Sequence, residues 1–330
     1  MSYRKYFSEL AISFYSHGVL LVHPKHIQNI DKTSGEVLDI ANSCHIYFIV
    51  KRPKVSFVPG SFFISNDRME GKLSYVSSGK RKETRFSFFG EPNFESVKVS
   101  EYPHNNMYLI KEGKIISSSP AHLICMICNE LDDESLRDLE VVYVGMSYGD
   151  GERTAKDRLK SHSTLQKVLT DINYDDPESE ALIVMAEYAS PQALIHFDGR
   201  DTDTDIENDR DIMDDLHKQQ EEITEELKIL LVEAGLIRYF QPKYNEKYKA
   251  NFPMHNHRIL NEVYEIDFGA LSVEVNTEEI NARLYSKSVG VGYHHIAHYD
   301  LHDIDERKSF FNFSEGKGGT SAKDFSGPFI

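Results

Sequence analysis

Four segments in the middle third of the chain follow one another in an order that restricts the fold. Val141-Val-Tyr-Val-Gly is a short β-branched run that reads as a buried strand, and Glu152 to about Leu169 places Ala155, Leu159, Leu165, Val168 and Leu169 on one side of an amphipathic helix. Ala181-Leu-Ile-Val-Met-Ala-Glu-Tyr reads as a second strand. A long helix is then predicted from Asp209 or later to Phe240, where Gln241-Pro242 stops it. Strand, helix, strand, long helix is an α/β unit, and it sits between two stretches of another kind. Up to about residue 115, runs such as His45-Ile-Tyr-Phe-Ile-Val and Thr84-Arg-Phe-Ser-Phe-Phe are aromatic, β-branched and separated by Pro-Gly, Asn-Asp and Ser-Gly breaks. Beyond Pro253, Ala270-Leu-Ser-Val-Glu-Val and Arg283-Leu-Tyr-Ser are again strand-like, and the segment from Ser314 reads as a flexible tail.

The expected organisation is α+β: a β-rich region over 1–115 without a catalytic constellation, a central α/β domain over 116–252, and a β-containing region over 253–330. A chain of 330 residues is long enough for two or three such cores. No stretch is apolar for long enough to span a bilayer. The N-terminus lacks a signal-peptide pattern, and three cysteines (Cys44, Cys125, Cys128) are too few and too odd for a disulfide framework, so the cytoplasm is the expected compartment. The charge balance, 37 basic against 53 acidic residues and a net of −16, argues against a protein that coats nucleic acid. Much of that excess is local. It lies in an acidic insertion at 198–218 and in the glutamates that follow, which leaves room for a basic cleft elsewhere.

Three pieces of the central segment carry a resemblance. They are Tyr143-Val144-Gly145; Asp157-Arg158-Leu159-Lys160-Ser161-His162; and Leu230-Leu-Val-Glu233-Ala-Gly-Leu-Ile-Arg-Tyr-Phe-Gln-Pro242-Lys-Tyr-Asn245. In that order, and on a strand, a helix and a second helix, they resemble the GIY-YIG nuclease superfamily. The resemblance implies divalent-metal-dependent cleavage of phosphodiester bonds, with DNA favoured over RNA as the substrate. Its site would be Tyr143, Arg158, His162 and Glu233, with Glu233 binding Mg²⁺ or Mn²⁺. The residue types suit the chemistry. A single carboxylate leaves most positions of a hard cation to water and phosphate, and a guanidinium pairs with phosphate oxygens. Arg158 and His162, four apart on one predicted helix, would address one cleft. A phenol or an imidazole could orient or deprotonate the water, with Tyr143 favoured and His162 in support.

The family's first signature, a Gly-Ile-Tyr-like strand, is expected around Ala121-His-Leu-Ile-Cys-Met-Ile, a stretch with no tyrosine. Loss of that tyrosine would leave a catalytically degenerate binding or regulatory module, which is the alternative reading. Cys125 and Cys128 have zinc spacing but lie in an apolar run and read as buried thiols. His294, His295, His298 and His302 with Asp300 and Asp303 have a metal-like composition without a helical frame.

Overall fold

The computed structural model describes residues 9–148, 154–161, 163–196, 223–247, 269–301 and 323–324. The acidic insertion at 198–218 and the tail from Ser314 to Ser321 lie outside them. The strands begin with β1 (Glu9–Phe14), β2 (Ser16–Val22), β3 (Ile46–Pro53), β4 (Ser56–Phe57), β5 (Phe63–Ile64) and β6 (Arg68–Ser77). They continue with β7 (Lys80–Phe89), β8 (Ser96–Val99), β9 (Asn106–Lys111), β10 (Lys114–Pro120), β11 (Glu130–Leu131) and β12 (Asp138–Met146). The rest are β13 (Ser179–Tyr188), β14 (Gln192–His196), β15 (Ala270–Asn276), β16 (Arg283–Tyr285), β17 (His294–Asp300) and β18 (Lys323–Asp324). The α-helices are α1 (Glu36–Ser43), α2 (Ala121–Ile127), α3 (Ala155–Leu159), α4 (Ser163–Asp175), α5 (Glu225–Phe240) and α6 (Lys243–Lys247). The class is α+β, with mixed sheets and helices packed against them.

The central sheet has the order β16-β12-β3-β13-β2. Both faces are covered, so its strands are apolar almost throughout rather than alternating. On β3, Ile46, Phe48 and Val50 enter one core, while Tyr47 and Ile49 enter another shared with Ala155 and Leu159 of α3 and Leu165, Val168 and Ile172 of α4. The first core also takes in α5 and the inner face of a second sheet, β14-β1-β15-β17-β18. Helix α5 is therefore apolar on nearly every side, and 13 of its residues are buried. Gly235 allows the close approach: a Cβ there would come within 2.8 Å of Val273 Cγ2, and the Tyr299 hydroxyl donates to the Gly235 carbonyl at 2.6 Å.

Between Pro53 and Asp138 the chain builds a separate core from Val55, Phe57, Leu73, Phe86, Ile124 and Leu136, under the sheets β11-β7-β6-β4 and β10-β9-β8. This β unit interrupts the chain between two neighbouring strands of the central sheet. Two expectations change as a result. The central sheet takes β2 and β3 from 1–115, β12 and β13 from 116–252 and β16 from 253–330, so residues 115 and 252 do not mark seams of this sheet. Residues Ala121–Ile127 form helix α2, not a signature strand. The reason is that a seven-residue run, apolar but for His122, has no period that separates a strand from a buried helix turn. No described helix is long and apolar enough to cross a membrane.

Candidate active site

Two tyrosines share a face of the central sheet because β12 is bulged. Val141 stands opposite Val50 and Tyr143 opposite Ile49, with Val142 as the extra residue. An unbulged ladder would put Tyr143 opposite Phe48, in the α5 core; the added residue turns it to the Ile49 side, where Tyr47 also lies. Farther along, Gly145 is opposite Tyr47. A Cβ on Gly145 would sit 2.6 Å from the Tyr47 Cζ and hydroxyl and 2.7 Å from Tyr143 Cε1, so only glycine leaves space for both rings. The ring centroids are 6.1 Å apart, and a hydrogen bond joins the two phenols.

Tyr47 is the residue that sequence reasoning missed. The run His45-Ile-Tyr-Phe-Ile-Val reads as a strand, but no local pattern connects its Ile-Tyr pair to Tyr143 across the 84 residues of 54–137.

Arg158 comes from α3, which is shorter than predicted. Instead of one helix from Glu152 to Leu169, α3 ends at Leu159 and α4 starts at Ser163. The single helix expected to carry both Arg158 and His162 is thus divided, and His162 itself lies outside the described residues. Local contacts fix α3 in place. The Thr154 amide and hydroxyl donate to Asp157 Oδ2 at 3.2 and 2.7 Å, and the Ala155 amide donates to the Cys44 carbonyl, just before β3, at 2.8 Å. Lys156 and Lys160 both meet Asp31, which holds that carboxyl down to about 2.

Glu233 reaches the sheet from the opposite core. Thr224 caps α5, its hydroxyl accepting the Leu227 amide at 3.2 Å, and Glu233 falls in the third turn, 8% exposed. The backbone amide of Met146, the last residue of β12, donates to its carboxylate. Burial raises the Glu233 carboxyl to about 7, with the Arg158 guanidinium and the Met146 amide pulling the other way. The Tyr47 phenol is pushed well above its ordinary value, first by burial and then by Tyr143, and Arg158 again opposes the shift. Tyr47, Tyr143, Arg158 and Glu233 are thus one electrostatic cluster built from four elements.

Asn245 locks the cluster's frame. Beyond Glu140, β12 has lost β16 as a neighbour, so its outer edge is open at Val144. The Asn245 side chain fills that edge like a strand residue, its Oδ1 accepting the Val144 amide and its Nδ2 donating to the Val144 carbonyl, both at 2.8 Å. The side chain thereby pins the Tyr143 strand.

The other constellations resolve as packing. Cys125 and Cys128 are free and buried, as expected, and Arg137 donates to both of their carbonyls, at 3.0 and 3.3 Å. His295 is buried, with Nε2 3.0 Å from the Leu284 and Gly292 carbonyls, while His294 pairs with Glu274 and His298 with Ser272. His302 and Asp303 lie outside the described residues. Among the described residues, no three His, Cys, Asp or Glu side chains gather as a metal cage. No family model, no curated protein and no solved structure matches this chain.

Proposed function

We propose that this protein is a divalent-metal-dependent endonuclease of the GIY-YIG type that hydrolyses phosphodiester bonds in DNA. The observation that carries the reading is the convergence of Tyr47 and Tyr143 with Arg158 and Glu233. Ile46-Tyr47, on the strand hydrogen-bonded to that of Tyr143, supports the reading by bringing a second tyrosine to the site, far from the segment where the first signature was expected.

Each side chain has a task its surroundings suit. Glu233 fits Mg²⁺ or Mn²⁺: it offers hard oxygen, and one arginine and one amide leave its buried charge under-compensated, as a carboxyl at about 7 reflects. A bound ion would polarise the phosphate and stabilise charge on the leaving oxygen. Arg158 places its guanidinium beside the same carboxylate, where it can pair with phosphate oxygens as negative charge builds. Tyr47, held protonated by burial, donates hydrogen bonds and orients its neighbour. Tyr143, the slightly more exposed of the two, contacts the attacking water, with His162 as the proposed supporting base. The proposed setting is cytoplasmic.

Incubation of a supercoiled plasmid with the protein and Mg²⁺, with and without chelator, tests this. Nicking or linearisation that the chelator stops is the expected result. A folded protein that leaves the plasmid intact overturns the reading. Retained DNA binding in that case would favour the degenerate module, which the deep burial of Tyr47 (0% exposed) also favours.

A further inference from the structure

The longest hairpin of the β unit ends in a free, basic ribbon. Strands β6 and β7 pair over ten residues each, from Arg68 opposite Phe89 to Ser77 opposite Lys80. The two-residue turn Ser78-Gly79 has φ values of 52° and 70°, the type I′ geometry that matches the twist of its strands. The flanking strands stop early. Strand β4 reaches only Ser74 on one side, and β11 only Phe86 on the other, after which Asp133 still contacts Thr84 and the Tyr75 hydroxyl. Past that point two strands continue alone.

Their tip carries Lys80, Arg81 and Lys82, all exposed and none in an ion pair among the described residues. The Arg81 Nε donates to Ser74 Oγ at 2.9 Å, which lays the guanidinium along the ribbon, and Lys82 is near enough to Asp133 to lower its carboxyl. Below the tip, Lys72 and Arg85 stand directly opposite one another, an arrangement of like charges that disfavours the pairing. Glu83 and Asp132 relieve it from the sides, at 3.2 and 3.5 Å. Residues 68–85 hold six basic and two acidic side chains in a chain whose net charge is −16.

We propose that this ribbon grips duplex DNA, its tip lying in a groove with Lys80, Arg81 and Lys82 on the phosphates. A two-stranded ribbon fits the major groove of B-form DNA, and lysine and arginine contacts to phosphate supply sequence-independent affinity. An anionic lipid surface is a poorer match, because the ribbon exposes no large apolar side chain between Ser74 and Arg85 to enter it. The choice of DNA rests on the nuclease reading, but the ribbon's contribution is to binding and is measured without catalysis.

The test is fluorescence anisotropy of the full chain in chelator, with a labelled duplex of about 20 base pairs, roughly two helical turns, across a salt series. The variant K80A/R81A/K82A is expected to bind at least about tenfold more weakly at low salt. Its slope of log affinity against log salt should be shallower by about two to three. Equal affinity and slope for wild type and variant overturn the proposal, as does a wild type that binds single strands as tightly as duplex. Ribbon-dependent capture by phosphatidylserine vesicles without ribbon-dependent duplex binding overturns it too. If the alanine variant misfolds, K80Q/R81Q/K82Q removes the charges but keeps a polar side chain with most of the aliphatic stem, and is judged by the same readings. Ribbon-dependent binding by a protein that never cuts would sink the nuclease reading alone. Normal binding by the variant of a protein that does cut would sink the ribbon alone.

Discussion

At the Pro53 end of β3, Arg52 is fully buried and each of its guanidinium nitrogens has an acceptor: Glu180 Oε1 at 3.0 Å, the Leu136 carbonyl at 2.8 Å and the His122 carbonyl at 2.5 Å. At the Tyr47 end, about 20 Å away at the usual rise per residue, Glu233 is buried with one backbone amide and one guanidinium to answer it. Both ends bury a charge, and a buried charge is costly unless paired and hydrogen-bonded. The Arg52 end meets that demand from within, using three elements of the joint between the central sheet and the inserted β unit. The Glu233 end leaves it partly unmet. A fully answered charge reads as architecture, whereas a half-answered one beside two phenols reads as a place for something else to bind.

The largest expected effect tests the first half of that contrast. Arg52→Met should cost about 3–5 kcal/mol of folding stability, because Glu180 would be left buried without its partner. The double change Arg52→Met/Glu180→Leu should recover much of the loss. Urea unfolding measures both. A single variant that loses under about 1 kcal/mol, well below the range for broken buried pairs, would mean that the pair is not the joint described here.

At the other end the effect should appear in turnover and not in stability. Tyr47→Phe and Tyr143→Phe should each slow plasmid cleavage about a hundredfold, the range for lost acid–base participation, with unfolding midpoints close to wild type. Glu233→Gln should abolish metal-dependent cleavage in a folded protein. Full activity in Tyr143→Phe with a dead His162→Ala would hand the water to the imidazole. Wild-type rates in Tyr47→Phe would remove the first tyrosine from the site.

The sequence revealed one end of this comparison better than the other. Arg158, Tyr143 and Glu233 were legible because each lies in a local pattern: a strand ending in glycine, an amphipathic turn, a carboxylate inside an apolar helix stopped by Pro242. Tyr47 was not, since its link to Tyr143 is an antiparallel pairing closed over a whole β unit, and no window of local periodicity spans that. One compositional trace existed. Residues 54–137 contain 11 basic and 11 acidic side chains, so this neutral block stands inside a chain of net −16. The bulge at Val142 left no such trace, for one extra residue alters facing without altering composition. Arg52 was equally silent, because its three acceptors come from residues 122, 136 and 180.

The joint should also respond to acid, independently of the Glu233 end. His23 and His122 stack with ring centroids 4.9 Å apart, near Lys25, His26, Arg52 and Lys54. Burial first, and those positive neighbours second, lower His23 to about 4 and His122 to about 3. Both folded values lie below the ordinary 6.5, so the unfolded chain takes up more protons between them. Their contribution to stability is therefore intact above about pH 6.5 and declines as pH falls toward 4 and then 3, by at most about 1.4 kcal/mol per unit per histidine. A net loss on the order of 2 kcal/mol by pH 4.5 is expected after allowance for partial exposure. His23→Gln/His122→Gln should flatten that part of the profile, and a variant whose profile keeps the wild-type slope would place the acid sensitivity elsewhere.

The smallest effect is expected at Asn245, and it asks whether the Glu233 end depends on its frame. Two hydrogen bonds at 2.8 Å join this side chain to the Val144 amide and carbonyl, next to Gly145 and one residue from Tyr143. The site is only partly buried, so water can replace some of what is lost, and Asn245→Ala should cost about 1–2 kcal/mol. Asn245→Asp separates bonding from space filling. A carboxylate keeps an acceptor for the Val144 amide but turns a second oxygen toward the Val144 carbonyl where a donor is required, so at neutral pH aspartate should be no better than alanine despite its near-identical shape. If aspartate instead behaves as wild type, the side chain is a filler and not a clamp. Cleavage should fall in parallel with the loss of the clamp, by a factor smaller than in Tyr143→Phe, because the Tyr143 hydroxyl is still present and only the strand that aims it has loosened.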